Sequence, residues 1–269
     1  QENTISNLQT TISSIDASLN DQILQTNQLQ NSLAVIQANT VLELDGFLSL
    51  QDIGGNYTAV FSQMNVQIDN GLGTESLNGL GNLYLGYNDT TPDTTEFCLD
   101  ATYSSQGQCE AGNSIWLSDV RTGSHNLILG KGHSYLGYGS IIGGKNNVSN
   151  GNYSSVISGE ANISAGKYSV ITTGTENRAI AEYSAVLTGA INNAKGDHSA
   201  VIAGLSNTSE GIGSAVVSGQ FNHATALRSV VSGGWSNNAM GNYSSVSGGG
   251  FKNTENTWGW RGGALLDEQ

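Results

Sequence analysis

From Ile5 to Ile36 apolar residues return every three or four positions. Taking 5, 12, 19, 26 and 33 as a sites gives Ile5, Ile12, Leu19, Thr26 and Leu33; taking 8, 15, 22, 29 and 36 as d sites gives Leu8, Ile15, Gln22, Leu29 and Ile36. Eight of these ten are apolar, a narrow seam that predicts a parallel coiled-coil stalk over residues 1–40. A lone amphipathic helix on a globular body would need a wider apolar face. Ile and Leu mix at both seam sites, which leaves two and three strands open. Gln22 and Thr26 put polar groups in the seam, a device that fixes register. The flanking positions are mostly Asn, Gln, Ser and Thr, so ion pairs do little to select a partner, and an identical chain is the simplest one.

From Tyr138 a second pattern takes over, with a period of 15 residues and starts at Tyr138, Tyr153, Tyr168, Tyr183, His198, Gly213, Arg228 and Tyr243. Three places after each start stands a β-branched residue: Ile141, Val156, Ile171, Val186, Val201, Val216, Val231 or Val246. Six places on stands Gly144, Gly159, Gly174, Gly189, Gly204, Gly219, Gly234 or Gly249. Nine places on stands Asn147, Asn162, Asn177, Asn192, Asn207, Asn222 or Asn237, with Lys252 in the last coil. Eleven places on, every residue is Ser, Ala or Thr. Fixed spacing with short strand and turn signals predicts a mainly β parallel solenoid, one coil per repeat. The β-branched site suits a buried pleated surface, and the Asn column suits an amide ladder at about 4.8 Å spacing.

Fifteen residues at about 3.3 Å each give about 50 Å of contour, so a coil is too flat for a thick core. The residue after the inward site is apolar in five coils (Ile142, Ile157, Leu187, Ile202, Val217), so the second face of that strand also asks for burial. Other chains are expected to cover it, and Ser232 and Ser247 loosen that contact towards the last coils.

The run Ser154-Ser155-Val156-Ile157-Ser158-Gly159-Glu160-Ala161-Asn162-Ile163-Ser164-Ala165-Gly166 resembles the Ser-Val-x-x-Gly and Ser-x-Ala-x-Gly repeats of the YadA-like heads of trimeric autotransporter adhesins. The resemblance covers residues 124 to about 254 and implies a trimer of left-handed parallel β-rolls, an extracellular bacterial setting and a role in attachment. The repeat is one residue longer than is usual in that family, and the resemblance does not extend to a C-terminal β-barrel anchor. A coiled coil that precedes the roll is more similar to the order in phage-type trimeric tail fibres.

Between stalk and roll, residues 41–123 predict a β-rich connector. Tyr57, Ala59 and Phe61, then Met64, Val66 and Ile68, alternate as strands do. Asn82-Leu83-Tyr84-Leu85-Gly86 is echoed by Asn126-Leu127-Ile128-Leu129-Gly130, which predicts two early coils with residues 87 to about 123 inserted between them. That insert carries Pro92, Trp116, Cys98 and Cys109. With no second Cys pair and no nearby His to complete a zinc site, the two cysteines read as a disulfide in an oxidising compartment. The insert maps to a lateral loop that binds a partner or caps the roll. The roll is assigned to 124–257 and a tail to 258–269.

Composition sharpens this picture. Charged residues make up 12% of the 269, about half the ~25% of ordinary globular surfaces, and 36 glycines stand against one proline. The net charge is −13, yet all nine Lys and Arg lie at or after Arg121. A half without cations cannot neutralise phosphates, which argues against nucleic acid or an anionic membrane as partner. No apolar stretch approaches the ~18 residues of a membrane span. A chain that starts at Gln1 without Met is expected to have lost a targeting segment or upstream domain.

No phosphate loop, His-Glu-x-x-His, calcium nonapeptide or nucleophile elbow is present, so neither catalysis, metal nor cofactor is expected. His125, His133, His198 and His223 are scattered, and His198 occupies the Tyr site of the repeat. Asn-x-Ser/Thr sequons occur at Asn56, Asn88, Asn147, Asn152, Asn162, Asn207 and Asn242, a weak signal in so Asn-rich a chain. Tyr138, Tyr153, Tyr168 and Tyr183 form a column suited to mutual stacking or to sugar rings, and Trp235, Trp258 and Trp260 are candidates for a sticky tip. The expected protein is a homotrimeric extracellular fibre or adhesin that contacts glycans or a cell-surface receptor, with a head-to-tail self-assembling filament as the alternative.

Overall fold

The computed structural model describes residues 2–38, 47–73, 76–86, 96–100 and 102–263; Asn88, Pro92 and residues 264–269 lie outside the described residues. The chain divides into two compact units, residues 1–67 and 68–269.

In the first unit, helix α1 (Glu2–Gln37) buries none of its residues. The seam side chains Ile5, Leu8, Ile12, Ile15, Leu19, Leu29, Leu33 and Ile36 are each more than half exposed. At the seam, Thr26 Oγ1 donates to Gln22 O at 2.8 Å and so satisfies its hydroxyl within its own helix. Strands β1 (Leu48–Ile53) and β2 (Asn56–Phe61) form an antiparallel hairpin closed at Gly54-Gly55. Tyr57, Ala59 and Phe61 fall on β2, but Met64, Val66 and Ile68 form no strand. The hairpin's pairing ends at Leu48↔Phe61, and alternation without a partner strand makes no ladder.

The second unit is a parallel β-solenoid of two facing sheets, eleven-stranded and nine-stranded. It begins with β3 (Leu83–Leu85), which pairs in parallel with β6 (Leu127–Lys131), so the two echoed segments are adjacent coils. Between them lie β4 (Phe97–Cys98), α2 (Gln106–Ala111) and β5 (Trp116–Leu117). Then β7 (Ser134–Tyr135), β8 (Ile141–Lys145), β9 (Val148–Ser149) and β10 (Ser155–Val156) alternate between the two sheets, and two-residue strands continue this to Trp260–Arg261, beyond residue 257.

One expectation needs correction. The inward residue of β8 is Ile142, fully buried, and Ile141 faces out at 40% exposure. The cause is a change of period. Ile142 pairs with Val156, 14 residues on, whereas Lys145 pairs with Glu160, 15 residues on. The Cβ positions of Gly143 and Gly144 point at the carbonyls of Ile157 and Gly159, so the added residue is Ser158. Two residues opposing one is a bulge, and every later coil keeps it.

The core is two side chains thick. Ile128, Ile142, Val156, Ile171, Val186, Val201, Val216, Val231 and Val246 point in from the eleven-stranded sheet, and all are buried. Facing them from the other sheet are Ser149, Ser164, Ala179, Ala194, Ser209, Ala224, Ala239 and Thr254, which explains why that site is always small. Where the small residue is Ser, its hydroxyl meets that of the Ser five places on: Ser149 with Ser154 at 2.6 Å, Ser164 with Ser169 at 2.7 Å.

The Asn column closes one edge of every coil. Each Oδ1 accepts the backbone N–H of the next residue in the column, as Asn192 Oδ1 does from Asn207 N at 3.0 Å and Asn237 Oδ1 from Lys252 N at 2.9 Å, and each Nδ2 donates to a glycine carbonyl, as Asn192 Nδ2 does to Gly204 O at 2.9 Å. The amide-to-amide contact accompanies this in part, with Asn207 Nδ2 donating to Asn192 Oδ1 at 3.2 Å. Asn192→Ala would strand the buried N–H of Asn207 and leave Gly204 O with the Ala190 N–H alone, so a loss of about 1–3 kcal/mol is expected in a denaturant titration. Asn147, Asn162 and Asn207 are wholly buried, which removes them as glycosylation acceptors in the folded chain.

His133 takes the place of Asn in the coil before Asn147. Its Nδ1 accepts Asn147 N–H at 3.2 Å and its Nε2 faces Leu129 O at 3.1 Å, so the ladder wants the neutral ring with its proton on Nε2. Burial first, helped by the nearby Arg121 cation, holds its pKa below the ordinary imidazole value. The unfolded chain takes up a proton near pH 6.5 where the folded chain does not. Stability therefore falls as pH drops below about 6.5 and levels off once the folded ring protonates. Melting curves at pH 7.5 and 5.0 should show this acid loss shrinking in His133→Asn, which restores the ladder residue.

Candidate functional site

Three surfaces of the solenoid unit carry chemistry. The first is the outer face of the eleven-stranded sheet. Side chains flanking the buried valines point outward, and Ile141, Ile157, Leu187, Ile202 and Val217 are between 38% and 42% exposed. Ile157, Leu187, Ile202 and Val217 share one column, interrupted by the exposed Thr172, and Ile141 stands on the other side of the buried row; aliphatic groups exposed together in this way make a contact surface by composition. Ile142, expected on this face, lies inside for the reason given above, and Ser232 and Ser247 end the stripe as the repeat predicts.

The second is the aromatic column at the turn into each strand of that sheet. Tyr153, Tyr168, Tyr183 and His198 stack with ring centroids 5.3, 5.0 and 4.8 Å apart and interplanar angles of 3°, 13° and 6°. All four adopt positive φ, between 56° and 59°. Tyr138 is buried, meets Tyr153 edge-on, and so leaves the exposed surface. Because the ring faces are used by their neighbours, this column presents edges to solvent. Trp258 belongs to the same column, stacked on Tyr243 at 4.3 Å, whereas Trp235 meets Phe251 at the opposite turn and Trp260 lies on the last strand. The three tryptophans therefore share no single patch.

The third surface lies where the insert docks on the nine-stranded sheet. Cys98 and Cys109 form a disulfide that ties β4 to α2. Phe97 is buried with Val148 and Ile163, and Leu117, Val120 and Leu136 pack around them. Asn150 Nδ2 donates to Leu99 O at 3.2 Å, and an Arg178 N–H donates to Tyr103 O at 3.0 Å. The bridge closes only 11 residues of chain and contributes about 3 kcal/mol to the insert. Reduction is expected to expose the insert to proteolysis while the melting of the later coils, which do not touch it, stays unchanged.

Docking leaves a cleft of about 460 Å³ between insert and coils. Its floor is two columns from three successive coils, Ala161, Glu176 and Ile191 beside Ile163, Arg178 and Asn193, and its wall is Glu96 and Ser104 of the insert. Glu96 Oε2 accepts the Trp116 Nε1–H at 3.0 Å, which fixes the carboxylate. Burial lowers the pKa of Arg178, which remains a cation at neutral pH. Ile191 holds φ at +57°, a left-handed conformation that a β-branched residue rarely adopts. The sequence singled out none of these cleft residues. Arg178 interrupts an otherwise apolar or neutral column after Val148 and Ile163, the one signal available.

Among the described residues no group of three or more His, Cys, Asp or Glu is placed to hold a metal ion, and no helix is long and apolar enough to cross a membrane. No protein-family model matches the chain, and no curated protein matches it either.

Proposed function

We propose that the chain is a subunit of a homotrimeric extracellular fibre or adhesin, in which the solenoid presents a repetitive surface for attachment. The observation that carries this reading is the set of aliphatic side chains on the outer face of the eleven-stranded sheet, Ile157, Leu187, Ile202 and Val217 with Ile141 beside them, left in water by a single chain. The heptad seam of α1, of which no residue is buried, supports it independently, since both surfaces want the same kind of partner, a copy of themselves. Three copies also suit the chemistry of weak repeated contacts, because linked sites raise avidity without a strong single site. The left-handed YadA-like roll and the bacterial cell-surface setting belong to the same proposal, supported by the in-register Val, Gly and Asn columns.

Sedimentation equilibrium should return three times the 28.0 kDa of one chain. A stable monomer counts against the proposal. Micrographs separate the two ways of using a trimer: discrete rods that bind cells fit an adhesin, and indefinite threads fit a head-to-tail filament.

A further inference from the structure

We infer that a gap in the aromatic column at Gly213 receives one aromatic ring, of the phenol or indole kind that a Tyr or Trp side chain of the attachment partner carries. The column takes one residue from each coil: Gly139, Tyr153, Tyr168, Tyr183, His198, Gly213, Arg228, Tyr243 and Trp258. Rings stack from Tyr153 to His198 and again from Tyr243 to Trp258, and Gly213 leaves a ring missing between the two stacks. The other glycine, Gly139, leaves no such opening, because Tyr153 ring atoms stand 2.8 and 3.0 Å from where its Cβ would be. At Gly213 the same position meets only Arg228 Cγ, at 3.3 Å. The Arg228 guanidinium lies over the Tyr243 ring at 5.9 Å, and the face of His198 turned away from Tyr183 carries no ring among the described residues.

The dimensions suit one guest. Walls two coils apart are separated by about 9.6 Å, so a ring midway stands about 4.8 Å from each. The rings from Tyr153 to His198 keep spacings of 4.8 to 5.3 Å. One face of the guest would stack on the His198 imidazole, and the other would meet the Arg228 cation, which is attracted to an aromatic face.

The neighbouring column gives an independent sign. Asn152, Lys167, Glu182, Asp197, Asn242 and Thr257 each precede a column member and are polar. Only Ile212 and Leu227, beside the gap, are aliphatic, and Ile212 is 56% exposed. Apolar groups thus replace polar ones where the ring is missing, and a guest would take them out of water. At the floor Gly213 N donates to Asp197 O and Arg228 N to Ile212 O, both at 2.8 Å, so these amides are already satisfied and an apolar ring leaves no donor stranded.

The gap is built within one chain and rests on the attachment reading only for its biological role. The test is an NMR titration of the full chain, labelled at its histidine rings, with p-cresol and indole, and with cyclohexanol as a non-aromatic group of similar size. Ring current from p-cresol or indole should move the His198 signals upfield, saturating with Kd on the order of 10 mM for so open a site. Cyclohexanol should leave His198 in place, and no probe should move His223, which is exposed on the other sheet. Arg228→Gln, at an exposed position that keeps the fold, should weaken binding about threefold. Gly213→Tyr should fill the gap, shift His198 without any probe and abolish the response. It should melt no lower than the parent, since Tyr153, Tyr168 and Tyr183 hold φ between 56° and 59° at this turn and Gly213 holds +65°. No His198 shift, an equal shift with cyclohexanol, an undiminished response in Gly213→Tyr, or melting of that variant several degrees lower overturns the inference. A monomer that shows the response keeps the gap and removes the fibre; a trimer that attaches to cells without the response does the reverse.

Discussion

Gly204→Ala is expected to lower the stability of the solenoid unit by about 3 kcal/mol or more, and Gly213→Ala by less than about 1 kcal/mol. Both glycines have positive φ, +105° and +65°, so backbone preference alone does not separate them. Their surroundings do. A Cβ on Gly204 would drive into the carbonyl oxygen of Gly219 and the ladder amide of Asn207, both held by the next coil. A Cβ on Gly213 meets only the flexible Arg228 Cγ at 3.3 Å. Tyr153, Tyr168, Tyr183 and Arg228 already occupy the equivalent site at φ between 52° and 59°, so the backbone there tolerates a side chain. Thermal unfolding should show Gly204→Ala melting about 10 °C lower and Gly213→Ala close to the parent. Equal shifts would mean that the glycine column serves conformation and not the close approach of successive coils.

The second large effect concerns assembly. Leu187→Asp combined with Ile202→Asp should open the solenoid contact of the proposed trimer, so that the variant dissociates at concentrations where the parent chain stays assembled, without loss of β-sheet circular dichroism. Both side chains point out of the sheet and are about 40% exposed, so in one chain a carboxylate there stays hydrated. In a trimer six aliphatic groups would lose their contact, about 1 kcal/mol each for side chains already half covered, and six charges would meet in a dry seam. Val201→Asp, one residue from Ile202 and wholly buried, should instead abolish the fold. If the outward pair leaves the concentration dependence of the sedimenting mass unchanged, this stripe is not the seam.

Much of this architecture is legible in the sequence because the repeat averages over its own noise. Val156 alone says little, but seven β-branched residues in step, from Val156 to Val246, identify a wall, and the Gly and Asn columns locate the edges. The phase of the first coil is not legible. Ile141 and Ile142 are both apolar, so the added Ser158 is invisible until Val156 is seen opposite Ile142. The echo of Leu83–Leu85 in Leu127–Leu129 places the early coils, since pairing strands share a pattern. The cleft escapes detection for the opposite reason. Tyr103 against Arg178 and Leu99 against Asn150 are single contacts between a unique segment and a periodic one, and nothing repeats to reveal them. The heptad spacing marks the exposed apolar stripe along α1.

The change of step at Ser158 has a bearing on how the chain threads itself. Beyond that point a slip by one full coil would set Val on Val, Gly on Gly and Asn on Asn, so a misthreaded spiral would lose little of its interior. What tells one turn from the next is whatever breaks the monotony: the 14-residue spacing of His133 to Asn147, and the tether from Arg178 to Tyr103. These irregular points give an otherwise uniform screw its origin, from which the remaining turns can be wound in only one frame.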